Sequence, residues 1–243
     1  MANGIGGIVA KAISHKRAPS TTRLSGVVDK LSVKVYKAMK RDIIRGVHPA
    51  GEPLSEKDLA RKYKASRTPV REAALRLQEE RLLRIVPNRG YFVSQITLQE
   101  LTDIYEYRAA VECAAAELAA RKATDSELLQ QLVELAETSY QTDSIESYME
   151  FIEADTLFHV GIARLSRNQM LIRAVNEARC QMERIMYAAI DIHYFGEVPT
   201  REHRAIMKAI VEHNPDAARR HMHDHIVQSK GKVLRLTGSS GAP

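Results

Sequence analysis

Apolar residues recur at helical spacing through most of the chain and give way to β-rich runs in one short stretch. Leu31, Val35, Ala38, Met39 and Ile43 predict a helix from Leu31 to Arg45, ended by Gly46 and the loop Pro49-Ala50-Gly51-Glu52-Pro53. Two short helices joined by a tight turn follow between Ser55 and Ala74. Leu54 and Leu59 are placed as a hydrophobic staple around Ser55 as N-cap, with Asp58 three residues in. Lys64-Ala65 makes the turn and Ser66 caps the second helix. Pro69 falls in that helix's first turn, where its missing N–H breaks no helical bond. Val70, Ala73, Ala74 and Leu77 form its inward stripe. The β-rich runs Leu82 to Val86 and Tyr91 to Val93 flank Pro87-Asn88-Arg89-Gly90 and predict a hairpin. Three helices and a hairpin make a winged helix-turn-helix over residues 29–94, preceded by a flexible basic tail at residues 1–28.

Beyond Ser94 the pattern is helical throughout. Thr97-Leu98-Gln99-Glu100 is a capping box opening a helix to about Lys122, and Thr124-Asp125-Ser126-Glu127 opens another to about Tyr140. Further helices are expected at Ser144 to Ser166, Met170 to Ile190, Arg201 to His213 and Pro215 to Leu234, the last capped by Asn214. The fold class is therefore mainly α: the winged domain, then an all-α antiparallel helical bundle over residues 95–235, then a flexible tail at 236–243.

Charge sharpens this division. Residues 1–94 hold 20 Lys and Arg against 8 Asp and Glu, whereas residues 95–243 hold 16 against 22. A basic half beside an acidic one is the footprint of a polyanionic partner; basic residues that merely solubilised the surface would not be confined in this way. Arg67, Thr68 and Arg71 lie on the outer side of the second short helix near its N-terminus. A recognition helix presents arginines to guanine edges and phosphates from that position. Asn88, Arg89 and Gly90 form the wing tip, from which an Arg could enter a minor groove or hold a phosphate. No apolar run is long enough to span a bilayer, and Gly4 to Ala10 lacks the features of a secretory signal. Cys113 and Cys180 have neither metal-type nor redox-type spacing and read as free thiols. Together these predict a cytoplasmic protein with no membrane association.

In the helical half, polar residues occupy positions where the period calls for apolar ones. Tyr148, Ile152, Asp155, His159 and Ile162 share one helix face, so Asp155 and His159 point inward. His203 is in step with Ile206, Met207 and Ile210, and His225 with Ala218, Met222 and Ser229. One carboxylate and three imidazoles have the composition of a divalent-metal site suited to Zn²⁺, Ni²⁺ or Mn²⁺. Singly, each His is more often a satisfied core or surface residue, Asp155 and His159 could be a simple hydrogen-bonded pair, and His221 could replace His225. Arg108 shares a stripe with Leu101, Ile104, Tyr105, Val111 and Ala115. It is either an internal ion pair with Glu112 or a bidentate clamp for a small carboxylate.

The segment from Leu31 to Ser94 resembles the DNA-binding domain of the GntR family of bacterial transcription regulators. The resemblance is carried by Gly46, Pro49-Ala50-Gly51, Leu54-Ser55-Glu56, Leu59-Ala60, Ser66 to Ala73 and Gly90 to Val93. It implies operator contacts from Ser66, Arg67, Thr68, Arg71, Gly90 and the position of Lys57, where the family often has Arg. Lys57 keeps the charge and loses the bidentate fork. The rest is similar to the ligand-binding FCD domain of the FadR subfamily, through Tyr105 to Arg108, Asp155, His159, Ser166-Arg167-Asn168, Glu202-His203 and His225-Ile226. That likeness implies that Asp155, His159, His203 and His225 bind a metal, favours His225 over His221, and implies that metal and Arg108 bind an organic-acid effector.

The combined expectation is a homodimeric, sequence-specific transcription regulator, a repressor. It binds a pseudo-palindromic double-stranded operator and is controlled by a small carboxylate at a divalent metal, Zn²⁺ foremost. The linker near Gln95-Ile96-Thr97 is where the ligand's bias must be transmitted. It is not expected to be an enzyme: the chain lacks His-Glu-x-x-His, and no further inward carboxylate is placed as a general base. The competing expectations are a metal-dependent hydrolase and an architectural DNA binder with a structural metal.

Overall fold

The computed structural model describes residues 22–141, 144–190 and 199–239. Its first helix, α1 (Thr22–Ile44), begins nine residues before Leu31, inside the segment expected to be a tail, because Leu24, Val27, Val28 and Leu31 continue the helical spacing. The rest of that tail, residues 1–21, lies outside the described residues, as do 240–243.

After α1 come β1 (Pro53–Leu54), α2 (Glu56–Lys62), α3 (Arg67–Glu79), β2 (Leu83–Val86) and β3 (Gly90–Val93). Ser55 caps α2, accepting from Asp58 N at 3.1 Å and donating to Asp58 Oδ2 at 2.7 Å. Lys64 turns the chain with φ +50°. Ser66 occupies the cap position of α3, but its hydroxyl makes no capping bond, so Oγ is left on the surface. Val70, Ala73, Ala74 and Leu77 are fully buried, and α3 packs against α1.

The hairpin pairs Leu83 with Val93 and Val86 with Gly90. A third strand, β1, joins β3 on its other side through Pro53 opposite Phe92 and Leu54 opposite Tyr91. Two residues are too few to show alternation, so the pattern gave no sign of it. Gly90 has φ +93°, and a Cβ there would stand 3.0 Å from Leu54 O, so the sheet itself requires glycine at the wing.

The second half consists of α4 (Leu98–Lys122), α5 (Ser126–Ala136), α6 (Ile145–Leu165), α7 (Gln169–Ile190), α8 (Thr200–Val211) and α9 (Pro215–Ser239). Thr97 and Glu100 form the expected capping box. Asp125 rather than Thr124 caps α5, its carboxylate accepting from Leu128 N at 3.1 Å, while the Thr124 hydroxyl takes a hydrogen bond from Arg167. α5 stops at Ala136, short of Tyr140, whose ring instead packs edge-on against Tyr148 at 4.9 Å. α9 runs five residues past Leu234. α4 and α9 lie along each other, and α4 also meets α6, α7 and α8, which makes it the central helix. Gly161 lets α6 close on α5: a Cβ there would lie 2.3 Å from Leu132 Cδ2. Among the described residues no helix is long and apolar enough to cross a membrane.

α7 also holds the winged domain. Gln181 Nε2 donates to Glu80 O at 2.8 Å, Arg184 donates to Ser94 O where the linker begins, and Arg45 pairs with Glu153 of α6 at 2.6 Å.

Candidate functional site

The predicted DNA-facing residues lie on the surface. Lys57, Ser66, Arg67, Thr68, Arg71, Asn88 and Arg89 are exposed and Gly90 is half-buried. Lys57 lies in the first turn of α2; Arg67, Thr68 and Arg71 lie in the first two turns of α3; and Asn88 and Arg89 form the turn between β2 and β3. Asn88 reaches that turn with φ +60°, a conformation Asn tolerates better than most residues.

The second candidate site is inside the helical half, where α4, α6, α7, α8 and α9 converge. Asp155 and His159 from α6, His203 from α8 and His225 from α9 are all buried. One ring nitrogen from each of the three histidines lies within 4.8 Å of the others. His221 is exposed and does not join them. Asp155 is not among these three: its Oδ1 faces them, 3.5 Å from His203 Nε2 and 3.8 Å from His159 Nε2, while Oδ2 takes an ion pair from Arg179. Phe158 stacks on the His203 ring at 4.2 Å and closes one side.

Two outer carboxylates orient the imidazoles. Glu112 Oε2 lies 2.6 Å from His159 Nδ1, and Glu202 Oε2 lies 3.3 Å from His225 Nδ1. The hydrogen-bonded carboxylate on the Nδ1 side of His225 favours a proton there and turns its Nε2 lone pair inward. His159 Nε2 and His203 Nε2 are buried with no hydrogen-bond partner. Unpaired buried nitrogens are costly, and three imidazoles with a nearby carboxylate are a donor set that fits a divalent ion. Burial, followed by the neighbouring imidazoles, holds His203 and His225 well below the ordinary histidine pKa, so both are neutral at pH 7. Burial opposes ionisation of Asp155 and Glu112, but Arg179 beside the first and Arg108 beside the second outweigh it and keep both carboxylates charged.

Of the two expected readings of Arg108, the internal ion pair with Glu112 is present. Its side chain is 1% exposed and Nε donates to Glu112 Oε1 at 2.7 Å, which is the internal ion pair. Nη1, however, is buried without a partner, an unused donor beside the histidine cluster. The ring of Tyr105 lies 5.3 Å beneath the guanidinium, and its hydroxyl is 3.0 Å from Ser229 Oγ of α9. Arg179 was missed by sequence reasoning, although Val175, Ala178, Arg179 and Met182 share the same inward spacing and would have exposed it. Glu202 was noticed only as a motif residue; nothing in its spacing shows that it reaches His225.

Comparison with known proteins places this architecture. Residues 31–93 match the bacterial regulatory proteins of the gntR family, and residues 103–228 match the FCD domain. The chain is 28% identical to the HTH-type transcriptional repressor RspR of Escherichia coli K12, over 84% of this chain and 89% of that protein. It is 32% identical to the Nta operon transcriptional regulator of Aminobacter aminovorans, over 76% and 86%. A crystal structure of a GntR transcriptional regulator from Rhodococcus sp. RHA1 superposes with a TM-score of 0.69 at 25% identity, covering 84% of this chain and 97% of the other. Escherichia coli McbR/YncC shares the fold with a TM-score of 0.70 at 22% identity, over 85% and 98%. These domains and relatives are those of transcription regulators rather than enzymes, which removes the hydrolase expectation. With a winged helix that presents its arginines outward and a helical half that gathers its histidines inward, the chain belongs to the GntR family of transcription regulators and carries an FCD domain.

Proposed function

We propose that this regulator is a FadR-subfamily repressor whose operator binding is controlled by a small organic acid bound at a divalent metal in the FCD domain. The observation that carries the reading is the set of buried, partnerless nitrogens: His159 Nε2, His203 Nε2 and Arg108 Nη1. Asp155, His159, His203 and His225 would hold the ion, with Zn²⁺ the best match to an imidazole-rich set and Ni²⁺ or Mn²⁺ also compatible. A bound ion would supply a Lewis-acidic anchor for an acid's oxygen atoms. Arg108 would fix the acid's carboxylate through Nη1 while Nε stays on Glu112. The name of the E. coli relative supports the repressor reading.

At the DNA, Lys57, Ser66, Asn88, Arg89 and Gly90 position the domain on the backbone, and Arg67, Thr68 and Arg71 reach base edges. A cytoplasmic homodimer would set two such domains on a pseudo-palindromic operator. The acid weakens binding only if it prefers the arrangement that does not fit DNA. α7 is the best-placed route for that bias. Arg179 answers to Asp155 at the site, and Gln181 and Arg184, within the next two turns, hold Glu80 and Ser94.

A thermal-shift screen of small organic and sugar acids on Zn²⁺-loaded protein tests this, with Arg108→Lys and His159→Ala alongside. A stabilising acid whose effect is lost in both variants supports the proposal. Metal that binds tightly while no acid in a broad panel shifts the transition contradicts it and favours a structural ion.

A further inference from the structure

Glu56 opens α2 between Ser55 and Lys57, in a half of the chain where basic residues outnumber acidic ones by 12. An acid there repels phosphates, and the proposed operator contacts give it no task. Its carboxylate nevertheless has a defined place. Oε2 accepts from Arg71 Nε at 2.7 Å and from the Tyr91 hydroxyl at 3.2 Å, and Oε1 lies 3.7 Å from Arg67 Nε. Glu56 is 22% exposed while the side chains of Arg67 and Arg71 are 66% and 62% exposed, so the acid sits beneath the two guanidiniums. It joins α2 and α3 to the central strand β3. The hydrogen bond from Arg71 holds the carboxyl below its usual range against slight desolvation, which keeps it ionised at neutral pH.

This geometry divides the labour of Arg71. Its Nε–H edge is used inside the protein, which leaves the terminal Nη pair for the two acceptors of a guanine edge. Arg67 and Arg71, one turn apart, also repel each other, and one shared carboxylate offsets that repulsion.

We infer that Glu56 is a positioning residue for sequence reading: it holds Arg71 and Arg67 from below with their terminal N–H groups outward, and it removes one positive charge from a surface that phosphates alone would attract. The inference rests on the base-reading role proposed for Arg71. Exposed ion pairs contribute little to folding, so variants should fold and recognition can be read directly.

The full-length protein is first used to select a duplex from a random 20-base-pair DNA pool. Binding to that duplex and to its scrambled version is then measured for wild type, Glu56→Gln, Arg71→Ala and the double variant. Glu56→Gln is expected to weaken the selected duplex by about tenfold, to leave the scrambled duplex as tight or tighter, and to relax base preference where Arg71→Ala relaxes it. The double variant should lose less than the two single losses combined, because part of what Glu56 does is done through Arg71. Equal losses on both duplexes, or additive losses in the double variant, overturn the positioning role while base reading by Arg71 stands. If Arg71→Ala leaves discrimination intact, base reading falls and the inference falls with it.

Discussion

The two halves of the molecule use arginine and carboxylate in opposite ways. In the winged domain Arg67 and Arg71 stand in solvent over Glu56, where water screens the pair and the guanidiniums remain available to another molecule. In the helical domain Arg108 with Glu112 and Arg179 with Asp155 are sealed away from water. A buried pair repays its desolvation only while both partners are present. The outer site can therefore change its recognition without endangering the fold. Removing one partner at the inner site leaves a buried charge unpaired and destabilises the helical domain. The same α7 that carries Arg179 also holds the winged half, through Gln181 and Arg184.

The largest expected effect that sharpens this contrast is on stability. Asp155→Asn leaves Arg179 buried against a neutral amide and should destabilise the metal-free chain by about 3–5 kcal/mol in denaturant unfolding. A loss no larger than that of a surface substitution would erase the distinction between the halves. Next comes the metal. Zn²⁺ at about a hundredfold excess over its dissociation constant should add about 2.7 kcal/mol to unfolding of the wild type and nothing to His159→Ala, as read by parallel melts with and without chelator.

A smaller effect follows from pH. His203 and His225 have folded pKa values below the unfolded value of 6.5, so their neutral forms favour the folded state fully above that pH. As pH falls below 6.5 the unfolded chain gains protons that the folded chain refuses, and stability declines. Asp155 and Glu112 are also depressed, so their contribution persists to lower pH and is lost as pH falls through the carboxylate range below the unfolded values of 3.8 and 4.5. The metal-free protein should thus weaken in two stages on acidification, and a flat profile between pH 7 and pH 5 would contradict the buried neutral histidines. The smallest stability effect belongs to Arg71→Ala. Its melting temperature should match wild type while affinity for a selected duplex falls about 10- to 100-fold.

How much of this was legible in the sequence depends on the range of each signal. Helices written by three- and four-residue spacing were readable, as were caps such as Ser55, Thr97 and Asn214, because their causes are local. The inward direction of Asp155, His159, His203 and His225 followed from the same periodicity. β1 was not readable, because two residues carry no pattern and its place depends on β3 reaching it. The Asp125 cap was missed by one position, because Thr124 and Asp125 are both capping residues and only the contact with Arg167 decides between them. Pairings across helices, such as Arg179 with Asp155, Glu202 with His225 and Glu56 beneath Arg71, are tertiary facts that no single-chain period encodes.

The proposed control of the outer site by the inner one is tested by measuring the affinity of Zn²⁺-loaded protein for the selected duplex as the stabilising acid from the thermal screen is added. Saturating acid should weaken binding by at least about fivefold in the wild type, the usual range of coupling between linked sites. In Arg108→Lys, which keeps a cation opposite Glu112 but lacks the guanidinium fork, the metal should remain bound and the response should vanish. Unchanged DNA affinity at full acid occupancy, or an Arg108→Lys variant that responds like wild type, would contradict it.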